Sequence, residues 1–296
     1  MTADGAAAFR SYHPLLFGIA YRMLGSASEA EDIVQEAYLR YMGAREQPQA
    51  LKPFLTTIVT RLCLDHLKSA RVRREQYIGP WLPEPLLTPD PARGPLQTLE
   101  QQESLSLAFL VLMECLTPQE RAVFLLREVF EHSYEEIASI LGSSAASCRQ
   151  MFHRAQKRLA ERRPRFKPEP AQQQRLFASF VAACQRGDLA ALIQALAQDV
   201  TIWSDGGGKA SAARRPIVGR DAVARFLLGL VRIAPENLRI QLVEVNTSPA
   251  LLLWEGDSLI SVMVFDFEGE HLQAVHAARN PDKLAFIESQ ARGRGE

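Results

Sequence analysis

A chain of 296 residues that is 47% hydrophobic is long enough for two or three packed domains and too apolar to be disordered. Its 34 basic and 34 acidic side chains cancel, so it is not a polycation that coats nucleic acid by bulk charge. The four cysteines lack CxxC or Cys/His ligand spacing, which excludes a zinc site of that kind, and no apolar run nears the ~18 residues of a membrane span. The thiols read as reduced and buried, and the N-terminal stretch lacks the apolar core of a signal peptide, so a soluble cytoplasmic protein is expected.

In chain order, residues 7–75 read as all helix. Ser28-Glu-Ala-Glu31 has capping-box spacing, and Val34, Tyr38 and Tyr41 recur at helical intervals. Asp32, Gln35 and Glu36 share the other face at i, i+3 and i+4, and Leu39 sits among them. An apolar residue amid charges suits an interface better than a solvated face. A further helix spans Pro53 to about Ser69, ending in a basic run from Lys68 to Arg74 that holds no acid. Residues 76–102 carry six prolines from Pro80 to Pro95, which exclude a helix. Yet Tyr77 to Leu87 is too apolar for an inert linker, and a docking segment is expected there.

Residues 103–166 are helical again. Thr117-Pro-Gln-Glu120 is a capping box with proline at the first helical position. Ser133 and Glu136 repeat that spacing, Ile137, Ile140 and Leu141 form an apolar stripe, and Gly142 supplies a tight turn. The helix that follows presents Arg149, Gln150, His153, Arg154, Lys157 and Arg158, the pattern of a helix-turn-helix that lays its second helix in a major groove. Cys148 reads as a small inward core residue. From 172 to 290 the pattern changes to α+β: helices over Arg175–Arg186 and Asp188–Ala197, a strand from Val200, the turn Gly206-Gly-Gly208, a helix over Asp221–Leu230, and strands over Leu238–Glu244, Ala250–Trp254 and Leu259–Phe267.

The two helical modules together resemble the sigma-70 family in its extracytoplasmic-function (ECF) form. Ala20-Tyr-Arg-Met-Leu-Gly with Glu29-Ala-Glu-Asp-Ile-Val-Gln-Glu36 is similar to the polymerase-binding helix of region 2. Phe54-Leu-Thr-Thr-Ile-Val-Thr-Arg-Leu-Cys-Leu-Asp-His-Leu67 is similar to its promoter-melting helix, and the helix-turn-helix module resembles region 4. Trp81-Leu-Pro-Glu-Pro85, Asp205-Gly-Gly-Gly-Lys209 and Asn280-Pro-Asp-Lys-Leu284 resemble the three motifs of the group that carries a C-terminal NTF2-like (SnoaL-like) extension. The resemblance implies a multidomain fold: two all-α domains and a cone-shaped α+β domain.

It also implies roles. Asp32, Gln35, Glu36 and Leu39 would bind the β′ clamp helices of core RNA polymerase. Ser144, Arg149, Gln150, His153, Arg154, Lys157 and Arg158 would meet the −35 promoter element, the first of them near base edges and the last along phosphates. Arg61, Asp65, His66, Lys68 and Arg71 would meet the −10 element, and the loop from about Gly43 to Gln49 would capture an unstacked base. Tyr77, Trp81, Pro83, Glu84, Asp205, Gly206, Gly207, Gly208, Lys209, Asn280, Pro281, Asp282, Lys283 and Leu284 would form regulatory contacts between the tail and the rest of the chain. The expected protein is a monomer without cofactor, metal or catalytic residue, and without a dedicated anti-sigma partner. Two rival readings are a dimeric helix-turn-helix repressor and an NTF2-like enzyme or ligand sensor fused to a DNA module, with Asp205, Lys209, His271 and His276 as its polar groups.

Overall fold

The computed structural model describes residues 3–44, 48, 50–88, 104–160 and 169–293. Contacts divide the chain into two compact units: Met1–Gln76 with Thr98–Ser104 and Phe109–Arg163, and Tyr77–Gln97 with Leu105–Ala108 and Pro164–Glu296. The described part of the proline-rich segment, residues 77–88, therefore belongs to the tail unit.

The first unit is helical. α1 (Ala3–Leu24), α2 (Ala27–Met42) and α3 (Leu51–Glu75) pack around Leu16, Ile19, Met23, Val34, Leu55 and Val59, all buried. Phe9 meets Tyr38 edge-on and stacks on Tyr41, which fixes the start of α1 on the end of α2. The N-cap of α2 is Ser26, not the expected Ser28: its Oγ accepts the Glu29 N–H at 3.2 Å. Gly25, at φ 69°, ends α1 in the left-handed conformation and leaves Ser26 extended, so the helix starts two residues earlier than the Ser28 spacing implies. α3 runs past Ser69 to Glu75.

After α4 (Leu107–Met113), the remaining helices of this unit are α5 (Pro118–Glu128), α6 (Tyr134–Leu141) and α7 (Ala145–Ala160). Both expected capping boxes form, at Thr117/Glu120 and Ser133/Glu136, and Gly142 at φ 63° makes the left-handed turn between α6 and α7. Ile137, Ile140, Cys148, Met151, Phe152 and Ala155 bury the inner faces of this pair.

The tail unit is a layered α+β domain. α8 (Pro170–Arg186), α9 (Leu189–Ala195) and α10 (Arg220–Arg232) cover one face of a six-stranded sheet. Its strands are β1 (Leu196–Asp205), β2 (Ile217–Val218), β3 (Leu238–Val245), β4 (Ser248–Glu255), β5 (Ser258–Glu268) and β6 (His271–Ala278), in the order β2-β1-β6-β5-β4-β3. Only the β1–β6 pairing is parallel. α11 (Pro281–Gly293) lies with Leu87 and Leu107 on the other face, over Val262, Val264, Leu252 and Trp254. The helix expected over Asp188–Ala197 stops at Ala195, because Leu196 pairs with Leu272 and is drawn into the sheet. Asp188 caps it through the Ala191 N–H, so it also starts one residue later.

Candidate functional site

Three groups of side chains bear on function, two in the helical unit and one in the tail unit. On α2, Ile33, Val34 and Ala37 are buried, which turns Asp32, Gln35 and Leu39 to solvent. Leu39 is 64% exposed although it is the apolar member of that face. Glu36 pairs with Arg40 one turn on, at 2.9 Å. This face is thus an apolar spot in an acidic surround.

The second group is the surface of α7 and its surroundings. Ser144 is the N-cap, its Oγ accepting the Ser147 N–H at 3.1 Å. Gln150, His153 and Lys157 are exposed. Arg149 pairs with Glu135 at 3.0 Å and lies 5.3 Å from the Tyr134 ring centroid. Arg154 and Arg158 both bind Glu120, at 3.2 and 2.7 Å. Burial alone would raise the Glu120 carboxyl, but the Thr117 amide and hydroxyl and the two guanidinium groups outweigh it and hold the group below the usual carboxylate range. Burial pulls His132, beside the start of α6, below its ordinary 6.5, and Lys52 adds to this against the opposing pull of Glu136. Burial also pushes the Cys148 thiol up, in keeping with an inert core position.

The two helical modules touch directly within this unit. Arg61 of α3 donates to the Ile140 carbonyl at 2.9 Å and to the Ser139 carbonyl at 3.4 Å, at the end of α6. Arg121 of α5, buried, donates to the carbonyls of Met23 and Met113 at 2.7 and 2.8 Å and pairs with Glu114 at 2.9 Å. Arg22, buried, donates to Ser104 Oγ at 2.8 Å and lies 5.6 Å from the Phe130 ring centroid. Burial lowers its pKa to about 10, which leaves it cationic at neutral pH. Of the other residues expected at the −10 element, Asp65 pairs with Lys68 at 2.8 Å and His66 with Glu29 at 3.0 Å. The Arg71 side chain lies outside the described residues, as do parts of the Gly43–Gln49 loop, the rest of the proline-rich segment and the basic run after α7.

The third group pins the proline-rich segment to the tail sheet. Asp205, fully buried at the end of β1, accepts from Tyr77 Oη at 2.6 Å, the Leu82 N–H at 2.8 Å and Lys283 Nζ at 2.7 Å. Lys283 also donates to the Leu82 carbonyl and lies 4.2 Å from the Trp81 ring centroid and 4.9 Å from that of Tyr77. Asn280 caps α11 through the Asp282 N–H and donates to Tyr77 Oη at 2.9 Å. Burial, and then the hydrogen bond to Asp205, push the Tyr77 hydroxyl up, so it stays a donor. Lys209 pairs with Asp282, not with Asp205, which removes the acid–base pair considered across the glycines.

The glycines have a steric role. A Cβ on Gly207, at φ 57°, would strike the Asn280 amide and the Tyr77 hydroxyl, and one on Gly208, at φ 74°, would meet Ile78 Cδ1. Pro83, Glu84 and Pro85 are buried, as is Leu284. Pro281 opens α11, where a missing N–H costs nothing.

Sequence reasoning missed the far end of this clamp. Asn246, at φ 50° in the β3–β4 turn, accepts the Leu86 N–H at 2.9 Å on its side chain and donates to the Leu105 carbonyl at 2.7 Å. Its backbone N–H donates to Leu86, Thr88 donates to the Glu244 carbonyl, and Leu87 bridges to Val245, so the segment adds a short antiparallel strand to the β3 edge. Gln290 accepts the Leu87 N–H at 3.0 Å. Asn246 and Thr247 lie between two expected strands, and the sequence carried no sign of what they would hold. Arg22, Arg121 and Glu120 were equally silent, because burial of a charge is a tertiary property.

His276 lies on the sheet face away from the α8–α10 helices, 3.0 Å from Asp266 and stacked on Trp203. His271 is exposed. Phe177, Phe180, Phe265 and Leu227 fill the helix side of the sheet.

The sigma-70 region 2 model matches residues 8–73 and the sigma-70 region 4 model matches residues 106–159. The ECF RNA polymerase sigma factor SigJ of Mycobacterium tuberculosis is 39% identical over 226 residues, 76% of this chain and 72% of SigJ. The probable ECF sigma factor SigI of the same species is 32% identical over 97% of each chain. The crystal structure of SigJ covers 95% of this chain and 98% of its own, with a TM-score of 0.76 and 32% identity. Its span includes the helices-plus-sheet tail, whose topology here is that of an NTF2-like domain. No helix of the described residues is long and apolar enough to cross a membrane. Helical modules, helix-turn-helix and tail together agree with these relatives: the chain belongs to the ECF sigma factors of RNA polymerase, in the form that carries a C-terminal NTF2-like domain.

Proposed function

We propose that this sigma factor directs core polymerase to promoters with −10 and −35 elements, and that its tail controls it in cis by holding the segment that joins regions 2 and 4. The observation that carries the reading is the clamp on that segment: a buried Asp205–Lys283 pair at one end and Asn246 at the other. α2 offers Asp32, Gln35, Glu36 and Leu39 to the β′ clamp helices, α7 offers Gln150, His153 and Lys157 to the −35 element, and Arg61, Asp65, His66, Lys68 and Arg71 serve the −10 element. The two elements lie about 25 base pairs apart, about 85 Å at ~3.4 Å per base pair. Regions 2 and 4 joined by the 2.9 Å Arg61–Ile140 hydrogen bond cannot span that distance. Activation therefore needs an open form, and polymerase selects it by binding that form better. The tail does not act as an enzyme in this reading: the Asp205 carboxylate is saturated by three donors and faces the linker. No dedicated anti-sigma protein is required in this reading, because the controlling contact is covalently attached.

The test is run-off transcription with purified core polymerase on a promoter from the protein's own gene neighbourhood. The full chain is compared with one ending near Ala171. Transcripts that depend on either version establish promoter-directed initiation, and a difference between them gives the sign of tail control. A protein that binds the promoter yet supports no transcript in either version overturns the reading.

A further inference from the structure

A second site lies beside the Gly206–Gly208 turn. We propose that it binds a small organic carboxylate, whose charge meets Arg214 and whose apolar body lies against the linker. The inference rests on the reading that the tail holds that linker, and it names what tightens the hold. A cavity of about 250 Å³ opens within the tail unit, lined by Ile78 and Gly79 of the linker and by Ser204, Gly208, Ala212 and Arg214. That is slightly below the ordinary range of ligand pockets and suits a small molecule.

Two polar side chains belong to its wall, Ser204 and Arg214. Ser204 is only 4% exposed. Arg214 is exposed and makes no ion pair among the described residues. The other charges nearby are committed: Lys209 to Asp282, Lys283 to Asp205, and Arg279 to the Ser211 carbonyl. The uncompensated charge at the cavity is thus positive, and a guanidinium takes a carboxylate through two parallel hydrogen bonds. Ile78 and Ala212 supply the apolar wall. Because the linker provides part of the lining, a carboxylate bound here favours the docked linker over the released one by mass action.

Isothermal titration of the full chain with sodium benzoate tests this, with benzyl alcohol as the neutral counterpart. One benzoate is expected to bind per chain, more tightly than the alcohol. Arg214→Gln on the tail side and Ile78→Gly on the linker side should each weaken it roughly tenfold or more, while Lys157→Gln should not. Failure of benzoate to saturate through the millimolar range, or equal binding by the wild type and both cavity variants, overturns the site. The readout needs no polymerase. If benzoate fails to bind but truncation near Ala171 still alters transcription, the site falls and tail control stands. If benzoate binds as expected and truncation changes nothing, tail control falls and the site stands.

Discussion

Lys283 shows how one side chain can pin a loop segment to a sheet. Its ammonium reaches Asp205, the Leu82 carbonyl and the faces of Trp81 and Tyr77, so nearly every donor direction is used inside the protein. Such a pair adds little over an apolar core of equal volume, but removing one partner is costly because the other charge stays buried. Lys283→Met should therefore destabilise the tail unit by about 3–5 kcal/mol in urea denaturation, and should alter transcription without altering promoter choice. Retention of wild-type stability would show that Asp205 does not depend on this cation. Leu39 is the opposite case. It touches little, so Leu39→Asp should change stability by no more than about 0.5 kcal/mol yet abolish co-purification with core polymerase. Undiminished polymerase binding would remove α2 from the interface.

At the scale of elements, the helix-turn-helix rests on caps and ion pairs that respond to acid. Glu120 has a folded pKa below its ordinary 4.5, so its stabilisation is present above that value and is lost as pH falls through the folded pKa. His132 is held below 6.5, so the unfolded chain takes up its proton first, and stability declines as pH drops below 6.5. Both act in one direction. The midpoint of thermal unfolding of the helical unit should fall as pH is lowered from 7 to 4, and Glu120→Gln should flatten the lower part of that slope. A midpoint that rises on acidification would contradict both assignments. The same ion pairs occupy Arg154 and Arg158, so the proposed −35 contact requires these arginines to exchange Glu120 for phosphate, whereas Gln150, His153 and Lys157 stand exposed.

For the whole molecule, the consequence is a choice between two shapes of one unit. Three arginines tie region 2 to region 4: Arg22, Arg61 and Arg121. Each satisfies or covers groups that polymerase must otherwise leave to water. Fluorophores placed at the exposed Arg40 and Gln156 should report a short distance in the free protein and a markedly longer one after core polymerase is added. An unchanged distance in a transcribing complex would remove the closed-to-open step from the mechanism. The linker joins the two regions, and its Leu82, Leu86 and Leu87 amides are held by Asp205, Asn246 and Gln290.

The sequence by itself determined what acts locally. Capping boxes at Thr117 and Ser133, the Gly142 turn and the polar faces of α2 and α7 follow from short-range spacing, so the two helical modules and their family resemblance were legible in it. The glycines of 206–208 marked a special turn, and the prolines from Pro80 onward excluded a helix. What lies opposite those glycines was decided only by the fold, because Tyr77, Asp205 and Asn280 come from three distant stretches. For the same reason Leu196 left its expected helix for the sheet, and the strand over His271–Ala278 and the helix after it gave no comparable signal. Arg22, Arg121, Glu120 and Asn246 are ordinary polar residues in the chain. Only tertiary burial turns them into structural ties, since the cost of an unpaired buried charge or amide exists nowhere else.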